Sequence, residues 1–277
     1  MPHIDPTAAQ SPITHFYHYQ SYCKKYFTDM LRDQMLHFSN PHNVNDPWDC
    51  KPWFDCRPML ENSEEREAMI EFFNRPLPPE VLNDPRRPVY ENLLRTDDEA
   101  LRKGMAKFSI IFKTELSMRR IYCLTPFADN TLMWSHYAND HKGICLEFAN
   151  NNPFIRHARA VRYEKNYPVW TPQSYGPGKD ANILDLVLTK AMDWCYEREW
   201  RIIASAREGP TKLHNHDFVS LPLGALSAII IGCENKDHSE IIEIVKAHQP
   251  GLTIKWAVRI PNVYKLTISD KPDFDGA

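Results

Sequence analysis

Glycine is scarce in this 277-residue chain: nine glycines stand against 22 prolines. Loops that cradle phosphates with bare backbone need glycine wherever a side chain would block the approach. Neither a G-x-G-x-x-G run nor a Walker A run occurs. Any nucleotide must therefore be held another way. The nearest stretch, YGPGKD at 175–180, contains proline, follows no clear strand and reads as a turn. Long apolar runs are missing too. The longest, around LSAIIIGC, fits one buried strand and falls far short of the ~18 residues of a membrane-spanning helix. The N-terminal MPHIDPTAAQSP has proline and aspartate where a secretion signal needs an apolar stretch. Seven cysteines are present, an odd number without C-x-x-C spacing. Cys123, Cys145, Cys195 and Cys233 sit in apolar segments and read as small core residues. Cys50 and Cys56 flank a loop without a zinc-type partner set, so no metal site is expected. Charge of one sign is also lacking. A net charge of -3 pulls the chain onto neither nucleic acid nor an anionic membrane surface. The expectation is a reduced, cytoplasmic protein with no membrane partner.

A hydrophobic content of 43% suffices for a sizeable core. ITHFYHY (13–19) reads as a strand. SYCKKYFTDMLRDQ (21–34) reads as a helix with Ser21 as N-cap and Tyr22, Tyr26, Met30 and Asp33 along one side. MLHFS (35–39) reads as a strand, and the Pro-, Asn- and Asp-rich 40–56 as a loop. Helices are predicted over 62–74 and 89–118, joined by a proline-rich connection. Strands then dominate: 120–125, 143–148, 158–163, 199–204, 217–221, 226–231, 253–259 and 263–268, with helices over 181–194 and 238–248. Helices and strands mix without regular alternation, so the fold class is α+β with mixed or antiparallel sheets. The expected organisation is one domain over 1–277 with a helical insertion at about 57–118.

Four stretches hold polar and aromatic residues that packing explains poorly. In HFYHYQ, Tyr17 and Tyr19 share one strand face with His15, and His18 shares the other with Phe16. LHFSNPHNVNDPWDC ends a strand at Ser39 and continues into a stiff loop. That loop either closes an Asx turn with Asn45 and Asp46 or presents them to a ligand. LMWSHYANDHKGICLEF crowds Trp134, Ser135, His136, Tyr137, Asp140 and His141 ahead of a buried strand. In YEREWRII, Glu197, Glu199 and Arg201 alternate onto one face. Two carboxylates at i and i+2 repel unless a cation, a substrate or a raised pKa relieves them. The bland reading is a solvated charged face.

In order and spacing these four stretches resemble the bacterial family called domain of unknown function 2971, over about residues 14–205. The order of aromatic strand, helix, strand ending in Ser and late E-x-E is also similar to the ADP-ribosyltransferase fold. That resemblance implies NAD bound, without a glycine fingerprint, in a cleft between two small sheets. It implies His18 or Tyr19 holding the NAD ribose or phosphate, Ser39 supporting the site, and Trp134 with Tyr137 as an aromatic wall. Asn45 and Asp46 would lie at the same site. Glu199 would stabilise an oxocarbenium-like sugar, with Glu197 near the acceptor. The first strand lacks the arginine of many such enzymes, and Ser39 lacks a Ser-Thr-Ser context. The expected activity is cleavage of the nicotinamide–ribose bond with transfer to an unknown macromolecular acceptor, protein or nucleic acid. The kind of family adds the expectation of a toxin or phage-defence role. Two alternatives stand beside it: a non-catalytic ligand- or protein-binding module, and a metal-dependent hydrolase using Asp46, Asp49, His136 or His141. On the transferase reading, Tyr19, Ser39, Trp134 and Glu199 line one concave site.

Overall fold

The computed structural model describes residues 12–51, 53–74, 83–170, 183–205, 213 and 217–272. Along the chain run β1 (His15–Gln20), α1 (Lys24–Asp33), β2 (Met35–His37), β3 (Trp53–Phe54), α2 (Arg57–Glu61) and α3 (Ser63–Asn74). Then come α4 (Arg87–Thr96), α5 (Asp98–Ser117), β4 (Arg119–Leu124), α6 (Thr131–Tyr137), β5 (Ile144–Ala149), β6 (Arg159–Ala160), β7 (Arg162–Glu164) and β8 (Val169–Trp170). After α7 (Ile183–Val187) and β9 (Thr189–Ala191) a 3-10 turn covers Met192–Glu197. β10 (Trp200–Ser205), β11 (Phe218–Ser220), β12 (Leu226–Ile231), α8 (His238–His248), β13 (Thr253–Arg259) and β14 (Leu266–Ser269) complete the order. Helices with mixed sheets make this an α+β protein. Among the described residues no helix is long and apolar enough to cross a membrane.

The chain divides into two compact units, residues 1–39, 120–160 and 196–277, and residues 40–119 and 161–195. The helical stretch expected over 57–118 falls inside the second unit. In the first unit a five-stranded sheet has the order β1-β5-β12-β13-β14. β12 and β13 are parallel, with α8 between them in sequence, and the other pairs are antiparallel. Alternation along the strands separates two cores. Phe16, Ile144, Leu146, Phe148, Ile229 and Ile231 face one way and pack with Phe27 and Leu31 of α1 and Ile241 and Val245 of α8. Tyr19, Cys145, Ile230 and Ala257 face the other way and pack with Met133 and Trp134 of α6. In the second unit α2, α3 and α5 bury Met59, Met69, Leu101 and Met105.

Local chemistry corrects several sequence expectations. α1 begins after Cys23, which makes no side-chain cap, rather than at Ser21. It buries Phe27, Met30 and Leu31, while Tyr26 stands 72% exposed. The i, i+3, i+4 triplet is the wider apolar stripe and takes the core. The helix expected over 89–118 breaks in two at Asp97, whose carboxylate accepts the N–H groups of Glu99 and Ala100 as an N-cap. The strand expected over 158–163 divides into β6 and β7, which join different sheets. The helix expected over 181–194 is α7, β9 and part of the 3-10 turn. The YGPGKD stretch, the N-terminal MPHIDPTAAQS and residues 75–82 of the proline-rich connection lie outside the described residues.

Candidate functional site

The site begins with a strand edge that two strands share. β4 is a member of a three-stranded sheet of order β4-β10-β6. Its free edge meets Tyr17 of β1 at Thr125 and meets Ser39, just after β2, at Ile121. The bridge bonds are tight, 2.7 and 2.9 Å at Thr125 and 2.8 and 2.9 Å at Ile121. Residues 121, 123 and 125 address the same edge, because backbone groups alternate along a strand. Cys123, between the two bridges, therefore has its carbonyl in a gap where β1 and β2 diverge. His18 closes that gap with a side chain: its Nδ1 lies 2.7 Å from the Cys123 carbonyl. A carbonyl only accepts, so Nδ1 carries the proton.

A groove of about 800 Å³ opens beside this divided edge, lined among others by His18, Gln20, Met30, His37, Ser39 and Tyr122. His18 and Tyr122 belong to a stack of three rings: His18 on Tyr122 at 4.1 Å and 23°, and Tyr122 on Phe38 at 5.0 Å and 23°. Burial drives the His18 pKa down to about 4, with the nearby His37 adding to the effect and the Cys123 bond opposing it. The imidazole is neutral at pH 7, and its Nε2 is an acceptor. Tyr122 is 3% exposed. Among the described residues its hydroxyl has no hydrogen-bond partner. Burial pushes its pKa well above the usual phenol value, so the group stays a neutral O–H.

Three carboxylates stand around the groove, each held by a cation. Asp29 pairs with Lys25 and Arg32, Asp33 with Arg32, and Asp217 with Arg120. Their pairing leaves the groove close to neutral. Exposed aromatic surface is supplied by Tyr26 and Phe218.

The residues singled out in the sequence do not share one cavity. His18 and Ser39 line the groove together. Tyr19 and Trp134 pack on the opposite face of the five-stranded sheet, edge to face at 5.1 Å. Trp134 is fully buried, and its indole N–H donates to the Ala128 carbonyl at 2.7 Å. The Tyr19 hydroxyl donates to the Phe127 carbonyl at 2.8 Å. Tyr137 meets Glu197: its hydroxyl donates to Oε1 at 2.5 Å. Asn130, the N-cap of α6, donates through Nδ2 to the Tyr196 carbonyl at 3.0 Å. LMWSHY and YEREWRII are thus bound to each other. Glu199 is 4% exposed, and Arg201 grips it with Nε at 2.7 Å and Nη2 at 2.9 Å. Trp200 and Ile202 of β10 belong to the same core as Tyr122. Arg201 alternates with them, so the ion pair lies on the other side of β10 from that core. Asn45 and Asp46 belong to the second unit. Asn45 is exposed, and buried Asp46 accepts the Trp48 N–H in an Asx turn. Asp46 and Asp49 lie in one unit and His136 and His141 in the other. Among the described residues no three His, Cys, Asp or Glu side chains are grouped to hold a metal ion.

Residues 133–202 match the family DUF2971, described as a protein of unknown function. A search of curated proteins and of solved structures finds no match to the chain. The DUF2971 stretch holds Trp134, Tyr137, Glu197 and Glu199, whereas His18, Ser39 and Tyr122 precede it. Tyr122 is the residue that sequence reading missed. Its strand was predicted, but a tyrosine in a strand looks like any aromatic core residue. Only the packing around it leaves its hydroxyl unmatched.

Proposed function

We propose that the first unit is an ADP-ribosyltransferase-like, NAD-binding module whose ligand groove is the gap between β1, α1 and β2. The observation that carries this reading is the divided β4 edge, which sets His18 and Ser39 across one groove without glycine. A groove of about 800 Å³ accommodates a mononucleotide or larger ligand. It offers a neutral imidazole, the hydroxyl-bearing Ser21, Tyr26, Ser39 and Tyr122, and exposed rings, which suit a heterocycle and its ribose. Lys25, now paired with Asp29, is the cation at the groove for a phosphate.

One observation favours binding without catalysis. An oxocarbenium-like sugar needs a carboxylate whose charge is available to it. The Glu199 carboxylate is already matched, oxygen for nitrogen, by Arg201. Turnover through Glu199 requires that pair to open. The non-catalytic module on the same groove is therefore the second reading.

Calorimetric titration with NAD tests the groove. Ser39 is exposed at its wall, so Ser39→Trp fills the groove without entering the core. Wild type should bind NAD, and Ser39→Trp should weaken binding at least ~10-fold while melting within a few degrees of wild type. Equal affinity in the two proteins refutes the placement. Release of free nicotinamide by wild type, lost in Glu199→Gln at matched folded concentration, selects the catalytic reading; binding without release selects the module.

A further inference from the structure

We infer that Tyr122 and His18 are the specificity-determining pair of this groove, reading the edge of a planar nitrogen heterocycle that offers an N–H donor beside an acceptor. The inference rests on the groove being a ligand site and adds which part of the ligand enters it first. Tyr122 lines the groove, and its hydroxyl is buried and has no partner among the described residues. Native proteins satisfy nearly all such groups, so an unmatched hydroxyl on a residue that lines a groove calls for a partner. The ring is locked between His18 and Phe38, so the hydroxyl cannot swing out to solvent without breaking the stack.

His18 fixes the other half of the code. Its Nδ1–H is committed to the Cys123 carbonyl, which leaves Nε2 as an acceptor, and among the described residues Nε2 bonds to nothing. His18 and Tyr122 thus bring one neutral acceptor and one hydroxyl, and the lysine that lines the groove, Lys25, is paired with Asp29. A carboxylate at His18 and Tyr122 would meet a neutral imidazole acceptor rather than a donor, and Asp29, Asp33 and Asp217 also line the groove. A ring edge with N–H beside a lone pair satisfies both groups at once. Two sources carry that edge: the carboxamide of a nicotinamide ring, and the amino group with its neighbouring ring nitrogen in adenine. NAD contains both.

The orphaned hydroxyl also makes a prediction about the protein without ligand. Removing it deletes a buried group that no side chain or backbone group satisfies, so Tyr122→Phe should fold and melt about 2–4 °C higher than wild type. A hydroxyl with a structural partner would produce the opposite shift.

The test titrates wild type and Tyr122→Phe with NAD, AMP, nicotinamide mononucleotide and ribose 5-phosphate, and records apo melting curves. Wild type should bind one mononucleotide more tightly than ribose 5-phosphate, and which one it is identifies the ring. Tyr122→Phe should lose roughly 10-fold for that mononucleotide, as one buried hydrogen bond is worth, and none for ribose 5-phosphate. Two results overturn the inference while leaving the NAD groove standing: undiminished mononucleotide binding by Tyr122→Phe, or a lowered apo melting temperature. Wild type that binds NAD but takes ribose 5-phosphate as tightly as both mononucleotides does the same. Failure of wild type to bind NAD and both mononucleotides overturns the groove reading and this inference together.

Discussion

Single residues change meaning once their partners are known. Trp134 looks like a stacking wall in sequence, because an indole amid Ser, His and Tyr suggests a pocket. In the fold it is fully buried and its N–H is satisfied. Trp134→Ala should therefore cost about 3–5 kcal/mol and lower the melting temperature sharply, with no specific loss of NAD affinity in the folded fraction. A near-wild-type melt would contradict the core assignment. Glu199 changes in the same way. Its repulsion from Glu197 is resolved by two separate partners, Tyr137 for one carboxylate and Arg201 for the other. Glu199→Gln removes one charge from the buried ion pair with Arg201, which should cost roughly 3–5 kcal/mol by urea denaturation. Glu199→Gln combined with Arg201→Met should recover much of that loss. A double variant as unstable as the sum of two single variants would show that the pair is not the reason.

Elements were legible where period and length agreed. β12, β13 and α8 lie where alternation, apolar runs and helical spacing put them, and β1 and β5 within a residue or two. α6 was not read, since seven residues with Ser, His and Tyr among them give no apolar stripe. Its start was signalled all the same: Asn130 accepts the N–H groups of Leu132 and Met133. The turn after α6 could not be foreseen. Asn139, Asp140 and His141 all have positive φ, at 47°, 53° and 65°. Left-handed backbone is normally a single-residue event outside glycine. Gly143 and Gly232 make this turn fit. A Cβ on Gly232 would lie 2.1 Å from the His141 carbonyl oxygen, and one on Gly143 would lie 2.3 Å from that of Gln20. Gly232→Ala should therefore lose roughly 1–3 kcal/mol or more, read as a lower denaturation midpoint. An unchanged midpoint would mean that the turn gives way without cost. Of the candidate site, His18 and Ser39 were legible as polar residues at strand positions. Their meeting was not, because it depends on two short bridges to β4, and no periodicity encodes which strands share an edge.

At the scale of the molecule, a chain poor in glycine builds its groove from a divided sheet edge and side chains. One consequence is visible in bulk stability. His18 stays unprotonated in the folded protein down to about pH 4, whereas an ordinary histidine takes up its proton near 6.5. Between those values the unfolded chain holds more protons, so stability rises with pH. The His18 contribution is complete above pH 6.5 and is lost as pH falls towards 4, by up to about 3 kcal/mol. Wild type compared with His18→Gln in urea at pH 7, 5.5 and 4.5 should show the difference between them narrowing with acid. A constant difference would contradict a neutral, buried imidazole.

We propose that the gap between β1, α1 and β2 holds NAD. Crystals of the protein grown with NAD test it most directly. Ligand density should appear in the groove, with a planar ring edge within hydrogen-bond distance of Tyr122 Oη and His18 Nε2. Density at Tyr137 and Glu197 instead, or a bound NAD that leaves Tyr122 untouched, would contradict it.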